Sequence, residues 1–404
     1  MKILLINRFH YRKGGSEAVY FNTAELLQKA GHKVIFFSFT DNKNVPCEQS
    51  DYFVNSSVSR IKGMMNYFFN SEVKQKLELL IEKEKPDIAH VHLIWGGVSP
   101  AIFSILKKHH IPLIHTAHDY RMICPAYTFN CNGHICEECA GKHFYKCAIK
   151  KCSKGKLIES SLMALEMYER NIFFKPENNF SGIIYVSKFS KDKHLLYRPQ
   201  LGRVHSMVQY NCSQEPPAKL LNKFNRSYYL FFGRLSYEKG VDKLIDVFAK
   251  LPNLKLKIVG TGPLETGLKE KVNSLNIKNI EFAGYKCGYE LQSIIANASF
   301  VIVPSQWYEN NPMTIIESYS LQTPVIGADL GGIPEIIDNG KTGYIFDHNS
   351  NDDLVKLLCI SSDLNDVQYK EMSRNARTFY DSNFSQNGYA EKLVEFYNSV
   401  IKQS

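Results

Sequence analysis

The sequence predicts an α/β protein built of two doubly wound domains facing a cleft. Three observations carry this expectation. At 404 residues the chain exceeds one ordinary domain and suits two. A rhythm of apolar strand, glycine-bearing turn and helix recurs in both halves. The strand segments are unbroken apolar runs without alternation, as in parallel sheets covered on both faces. A hydrophobic fraction of 44% and a charged fraction of 22% exclude a disordered or fibrous chain. No apolar run approaches the ~20 residues of a membrane span. The stretch Met1–Asn7 falls short of the ~7–15-residue core of a signal peptide, so a soluble cytoplasmic chain is expected.

In order, Lys2–Asn7 reads as the first strand, followed by Gly14-Gly15 and a helix over Ala18–Ala30 with Val19, Leu26 and Leu27 on its apolar side. Gly31 ends that helix, as glycine commonly does. Val34–Phe39, Asp87–His92, Pro112–Thr116 and Gly182–Ser187 are further strands. Tyr210–Ala218, with Pro216 and Pro217, reads as a linker. The second half begins with the strand Tyr228–Phe232. The helix after Gly240 repeats Val241, Leu244, Ile245, Phe248 and Leu251 at helical spacing. Leu254–Val259, Ile280–Phe282, Ser299–Val303 and Pro324–Ala328 complete the strands. The expected division is 1–212, 213–385 and a last helix within 386–404 that crosses back to the first domain.

Ligands of doubly wound sheets bind beyond the carboxyl ends of the strands, so the turns there are the candidate sites. Gly14-Gly15-Ser16-Glu17 follows the first strand and opens the first helix, where close backbone and helix dipole favour an anion. Neither G-x-G-x-x-G nor the P-loop pattern is present, which removes support for dinucleotide and Walker-type binding. Gly233-Arg234 through Lys239-Gly240 offers two cations at a strand end, able to neutralise a diphosphate leaving group. A solvated loop is the plainer reading of that stretch. Pro304–Pro312 ends another strand, and Pro312 suits the first helical position with Asn311 as cap. Glu309 then lies before the helix and Glu317 in its second turn, roughly 7 Å along the axis. Two carboxylates so staggered can hold different hydroxyls of one extended ligand. Gly331-Gly332-Ile333-Pro334-Glu335 repeats the glycine-turn logic, while Gly340–Gly343 reads as a turn.

In this order and spacing the motifs resemble the retaining, nucleotide-sugar-dependent glycosyltransferases of family four (glycosyl transferases group 1), enzymes of the GT-B fold with two Rossmann-like domains. The resemblance covers nearly the whole chain and is densest from Tyr228 to Phe346. It implies that Arg234 and Lys239 bind the donor diphosphate, with Gly14, Gly15 and Gly233 near the phosphates. It implies that Glu309, with Asn310, Asn311, Met313 and Thr314, meets the donor sugar and that Glu317 meets the ribose. His118, after the strand Pro112–Thr116, matches a histidine near donor sugar and acceptor; without the family a structural histidine is an equal reading. Family members often carry Phe-Gly after the first glutamate, and here Asn310-Asn311-Pro312 stands instead. The resemblance further implies metal-independent hexosyl transfer with retention, the acceptor hydroxyl attacking on the leaving-group face. A nucleotide-diphosphate sugar and a glycan or lipid-linked acceptor are the implied partners, in surface polysaccharide synthesis; nucleic acid is not among them. The alternatives are a GT-B epimerase or phosphorylase, and a zinc-bearing, non-catalytic scaffold or nucleic-acid-binding protein on the same fold.

Two compositional features stand outside those motifs. Six of ten cysteines, Cys124, Cys131, Cys136, Cys139, Cys147 and Cys152, form an insert over 124–152. In a cytosolic chain such a cluster points to metal before disulfides, with four thiolates on a structural zinc and His134 and His143 as further candidates. Residues 1–210 hold 29 Lys and Arg against 18 Asp and Glu, whereas the remainder holds 20 against 22. Basic surface attracts anionic partners. Arg60, Lys62, Met64, Met65, Tyr67, Phe68 and Phe69, together with Lys142–Lys156, suggest a surface that docks on anionic lipid at the inner face of the plasma membrane. An ordinary inward-packed helix is the alternative for the first group.

Overall fold

The computed structural model describes residues 1–55, 70–93, 100–224 and 226–403. The segment around Arg60–Phe69 lies outside them. The chain divides into two compact units. One comprises Met1–Phe129, Cys136–Tyr210 and Gln386–Ser404; the other comprises Asn130–Ile135 and Asn211–Ser385.

The first unit holds six parallel strands in the order β2-β1-β3-β4-β7-β8. They are β1 (Lys2–Ile6), β2 (Lys33–Phe37), β3 (Ile88–Val91), β4 (Leu113–Ala117), β7 (Gly182–Tyr185) and β8 (His205–Val208). The short β5 (Asn130–Cys131) and β6 (His134–Ile135) form a separate hairpin that groups with the second unit. The inner strands β3, β4 and β7 are buried along their whole length, and Ile3, Leu4, Leu5 and Ile6 of β1 are fully buried. Among the described residues the helices of this unit include α1 (Gly15–Lys29), α2 (Ser71–Glu84), α3 (Ala101–Lys108), α4 (Tyr145–Ile149), α5 (Leu157–Ile172) and α6 (Lys188–Tyr197), with a single turn over Pro176–Asn179. The first helix thus starts three residues before the sequence-based boundary, at the second glycine.

The second unit holds β9 (Tyr229–Phe232), β10 (Leu256–Val259), β11 (Ile280–Gly284), β12 (Phe300–Val303), β13 (Val325–Ala328) and β14 (Gly343–Phe346). All are parallel, in the order β11-β10-β9-β12-β13-β14. Its helices are α7 (Val241–Ala249), α8 (Glu265–Ser274), α9 (Gly288–Ala296), α10 (Met313–Ser320), α11 (Asn351–Ser362) and α12 (Asp366–Asn383). Helix α7 buries Val241, Leu244, Ile245 and Phe248, the i, i+3, i+4, i+7 pattern of one apolar face.

The last helix, α13 (Tyr389–Gln403), belongs to the first unit. Its Leu393, Phe396, Tyr397 and Val400 are buried with Ile3, Leu5, Tyr20 and Ile184 in one core. Strands β8 and β14, absent from the sequence reading, complete the two sheets. Strand β8 escapes because its residues are half exposed at the sheet edge.

No helix among the described residues is long and apolar enough to cross a membrane.

Candidate active site

Strand order locates the crevices. In the second sheet the winding reverses between β9 and β12, so loops leaving those two strands diverge and leave space for a ligand. Arg234 and Lys239 come from the loop after β9, and Glu309 from the loop after β12. The sequence had given Lys239 and Glu309 separate duties; the structure joins them. Lys239 Nζ lies 2.6 Å from Glu309 Oε1, and Ser305 Oγ donates to the same oxygen at 2.8 Å. Glu309 is buried, and burial alone raises a carboxyl pKa. The Lys239 charge, with the hydrogen bonds from Lys239 and Ser305, outweighs that cost and holds it below the usual range. Lys239 also sits 5.2 Å from the Trp307 ring centre. Arg234 is exposed, and its guanidinium has no partner among the described residues.

Two glycines make this arrangement possible. Gly240 takes φ +72, and a Cβ there would stand 1.9 Å from the Pro304 carbonyl oxygen. Gly331, at φ +67, would place a Cβ 2.4 Å from the Glu309 carbonyl oxygen. The loops after β9, β12 and β13 therefore touch backbone to backbone. The Gly332 N–H donates to the Glu309 carbonyl at 2.7 Å, so the Gly331-Gly332 motif props the loop that carries Glu309.

Helix α10 opens beside Glu309. Its cap is Pro312, in extended conformation and without a side-chain cap bond, so Asn311 is not the cap that the sequence suggested. Asn311 turns inward instead: its Oδ1 accepts from the Asn211 N–H at 2.8 Å. Tying the end of the linker to the loop outcompetes capping there. Met313 and Thr314, half-buried, supply the first amides of the helix. Glu317 is half-buried one turn further on; its carbonyl accepts from Ser320 Oγ at 2.8 Å, and its carboxyl has no hydrogen-bond or ion-pair partner among the described residues. Burial raises its pKa to about 7.

In the first sheet the reversal falls between β1 and β3. Gly14 caps α1 in extended conformation, and Gly14 and Gly15 are exposed at its N-terminus. Behind them Glu17 is buried, and burial raises its pKa. Asn7 bridges the strand ends, donating to the Phe9 carbonyl at 2.8 Å and accepting from the Leu93 N–H at 3.1 Å. His118 follows β4 directly. Its Nε2 meets His92 Nδ1 at 2.8 Å, and the two rings stack. His90 lies against His92 and is held by Tyr397 Oη at 2.6 Å and Thr116 Oγ1 at 2.7 Å. Burial lowers the His118 pKa to about 4 and those of His90 and His92 well below 6.5, so all three rings are neutral at pH 7. The sequence reading missed His92, although it stands at a strand end just as His118 does.

The thiols of the insert gather unevenly. Cys147 and Cys152 are in thiol contact, and Cys139 feels Cys124, Cys152 and Cys136. Burial pushes the Cys124 and Cys139 thiols up to about 12. Cys131 lies on the hairpin that groups with the second unit. Among the described residues, the sets of metal-ligating atoms within 4.8 Å of one another are Glu78, Glu82 and His109, and Asp329, Asp347 and His348. Neither set contains a cysteine or the candidate histidines His134 and His143.

Two parallel-sheet α/β domains, one with paired cation and carboxylate at its strand-order reversal, define a protein of the GT-B glycosyltransferase class. Family models agree: Glycosyltransferase Family 4 matches residues 13–206, and Glycosyl transferases group 1 matches residues 213–379. The chain belongs to this family of glycosyltransferases. It is 25% identical over 398 residues to an uncharacterized glycosyltransferase of Haemophilus influenzae, covering 96% of each chain. It is 24% identical over 360 residues to an uncharacterized 42.6 kDa protein in the cps region of Klebsiella pneumoniae, covering 83% of this chain and 87% of that one. Its fold matches that of Anabaena HepE in complex with UDP at a TM-score of 0.69 and 17% identity, over 99% of this chain and 100% of that one.

Proposed function

We propose that the protein is a retaining glycosyltransferase that moves a hexose from a nucleotide-diphosphate sugar to a glycan or lipid-linked acceptor in surface polysaccharide synthesis. The observation that carries this reading is the Lys239–Glu309 pair at the β9/β12 reversal, beside the opening of α10 and the exposed Arg234. The relative in the cps region and the UDP-bound fold relative support the acceptor and donor classes.

The chemistry follows from charge. As the bond between the anomeric carbon and the phosphate oxygen breaks, positive charge grows on the sugar and negative charge on the diphosphate. Arg234, Lys239 and the first amides of α10 receive the negative charge, without a catalytic metal. Glu309 holds sugar hydroxyls, and Glu317 takes the ribose hydroxyls. The acceptor hydroxyl oxygen bonds to the anomeric carbon on the face that the diphosphate leaves, and its proton passes to the departing phosphate. Neutral His118 offers the sugar and acceptor a hydrogen-bonding surface that adds no charge. The enzyme works in the cytoplasm at the inner face of the plasma membrane, where a lipid-linked acceptor is presented.

A thermal-shift series with UDP, GDP and their sugars tests the reading. One of them should raise the melting temperature, and Arg234→Ala should weaken that rise; no shift with any of them overturns it. For the insert we propose structural zinc, held by four thiols among Cys124, Cys136, Cys139, Cys147 and Cys152. The nearness of Cys139 to Cys124, Cys136 and Cys152, with Cys152 against Cys147, supports this. Metal analysis of reduced, purified protein should find one zinc per chain, and its absence ends that reading.

A further inference from the structure

Helix α5 wears its apolar residues on the outside. A surface helix ordinarily turns its apolar stripe to the core. Here the inward face holds Ser160, Ala164, Met167 and a buried ion pair, Arg170–Glu166 at 2.9 Å. The outward face carries Ile158, Leu165 and Ile172 at intervals of seven, 65%, 56% and 60% exposed, flanked by Leu157 and Phe173. Beside it, α4 exposes Tyr145 and Ile149. The two helices meet: the Tyr145 N–H donates to Tyr168 Oη at 3.3 Å, and in the turn between them the Ser153 N–H donates to Ser160 Oγ at 2.9 Å. An exposed apolar surface of this extent marks an interaction site.

Charge selects the occupant. Residues 142–175 carry seven lysines and one arginine against three glutamates. One of those glutamates, Glu166, is consumed by the arginine in the inward ion pair. Lys142, Lys151, Lys154 and Lys156 are exposed along the same stretch. A second copy of the chain docking through this face would bring like charges together. A soluble polyanion would match the lysines but leave the leucine, isoleucine and phenylalanine side chains in water. An anionic bilayer answers both features, since its headgroups attract lysines and its acyl boundary accepts apolar side chains.

We propose that the outer face of α4 and α5 docks the protein on an anionic lipid surface, with Ile158, Leu165, Ile172 and Phe173 entering the bilayer interface. The inference rests on the lipid-linked acceptor of the proposed function and names the surface that would meet it. The Lys142–Lys156 half of the basic, apolar surface expected from the sequence falls within this face.

Co-sedimentation of the full chain with vesicles tests it. Binding should be strong to phosphatidylcholine mixed with phosphatidylglycerol, weak to phosphatidylcholine alone, and reduced by salt. Replacing Leu165, Ile172 and Phe173 together by Ser should cut binding at least about tenfold, as the three side chains leave the interface. Lys151→Gln with Lys154→Gln should weaken binding to the mixed vesicles only. All five positions are exposed and remote in sequence from the donor-site residues, so the nucleotide thermal shift should survive in both variants. That keeps failure of this surface distinct from failure of the donor site. Unchanged vesicle binding in the triple variant overturns the proposal. So does a wild-type dimer, seen by light scattering and abolished by the triple change, in a protein that binds no vesicles.

Discussion

The two domains share a winding rule but arm their reversal points oppositely. In the C-terminal domain the crevice between β9 and β12 is ionic, with Lys239 locked to Glu309 at 2.6 Å, Arg234 in solvent and the Glu317 carboxyl unpartnered among the described residues. In the N-terminal domain the strand ends carry Asn7 and the imidazoles of His92 and His118, which burial keeps neutral, with Glu17 buried behind the glycines of the first loop. A leaving diphosphate needs fixed countercharge. A sugar or acceptor hydroxyl needs donors and acceptors without charge. In the proposed function, similar architecture serves these two recognition tasks through the residues at its strand ends.

The largest way to break the contrast is to remove the countercharge. Lys239→Ala should lower transfer by at least about a thousandfold, since it removes a cation from the leaving phosphate. It should also destabilise the domain by about 3 kcal/mol, because a buried carboxylate loses its partner. Adding Glu309→Gln should restore much of the stability and none of the transfer. Melting curves and initial rates on both variants check the two halves separately; stability unchanged in Lys239→Ala contradicts the pair.

The histidine side breaks with acid. His90, His92, His115 and His194 are buried, with pKa values lowered by burial, to about 3 for His115 and about 4 for His194. The unfolded chain binds protons at these residues below pH 6.5 and the folded chain does not. Stability is therefore full above 6.5 and falls with acid, by about 1.4 kcal/mol per pH unit for each histidine. The N-terminal domain should melt well before its partner at pH 5, which calorimetry on the full chain would register as a split transition. A single transition at all pH values would contradict it.

Much of the C-terminal domain was legible because its signals are local. Glycine turns, Arg234, Lys239 and Glu309 each stand at a strand end, Glu317 one turn into the helix that follows, and the apolar runs that precede them are unbroken. The histidine network was less legible. His90 depends on Tyr397, which lies 307 residues away. His92 gains meaning only once β3 and β4 are neighbours. Asn311 was misread for a related reason, since its partner Asn211 lies 100 residues distant. Cap preferences describe a helix in isolation, and a long-range tie overrode them. The apolar exterior of α5 was hidden as well, because periodicity reveals a stripe but not which way it faces.

Arg234 sharpens the ionic side from the surface. It is exposed and its guanidinium is unpartnered among the described residues, so Arg234→Ala should leave the melting temperature within experimental error. Transfer should nonetheless fall about a hundredfold, as for loss of one group stabilising developing charge. Arg234→Lys should recover only part of that, because a point charge does not replace a planar fork on a diphosphate. Full activity in Arg234→Ala would move the phosphate site elsewhere.

The smallest effect is the most diagnostic, because Glu317 is the donor-side group that titrates near pH 7. Burial raises its pKa to about 7, whereas His118, near 4, stays neutral from pH 6 to 8. In the proposed function ribose hydroxyls donate to the ionised carboxylate, so affinity for the selected nucleotide sugar should climb about tenfold between pH 6 and 8. Glu317→Gln should flatten that dependence and leave any His118 contribution untouched. Stability runs the other way. A carboxyl whose folded pKa is raised contributes most below its unfolded value near 4.5, and that contribution is lost as pH rises through 7. At pH 8 the Gln variant should therefore melt at or above the wild-type temperature while binding the donor more weakly. A variant that is both less stable and equally tight at pH 8 would mean that Glu317 serves the fold and not the ribose.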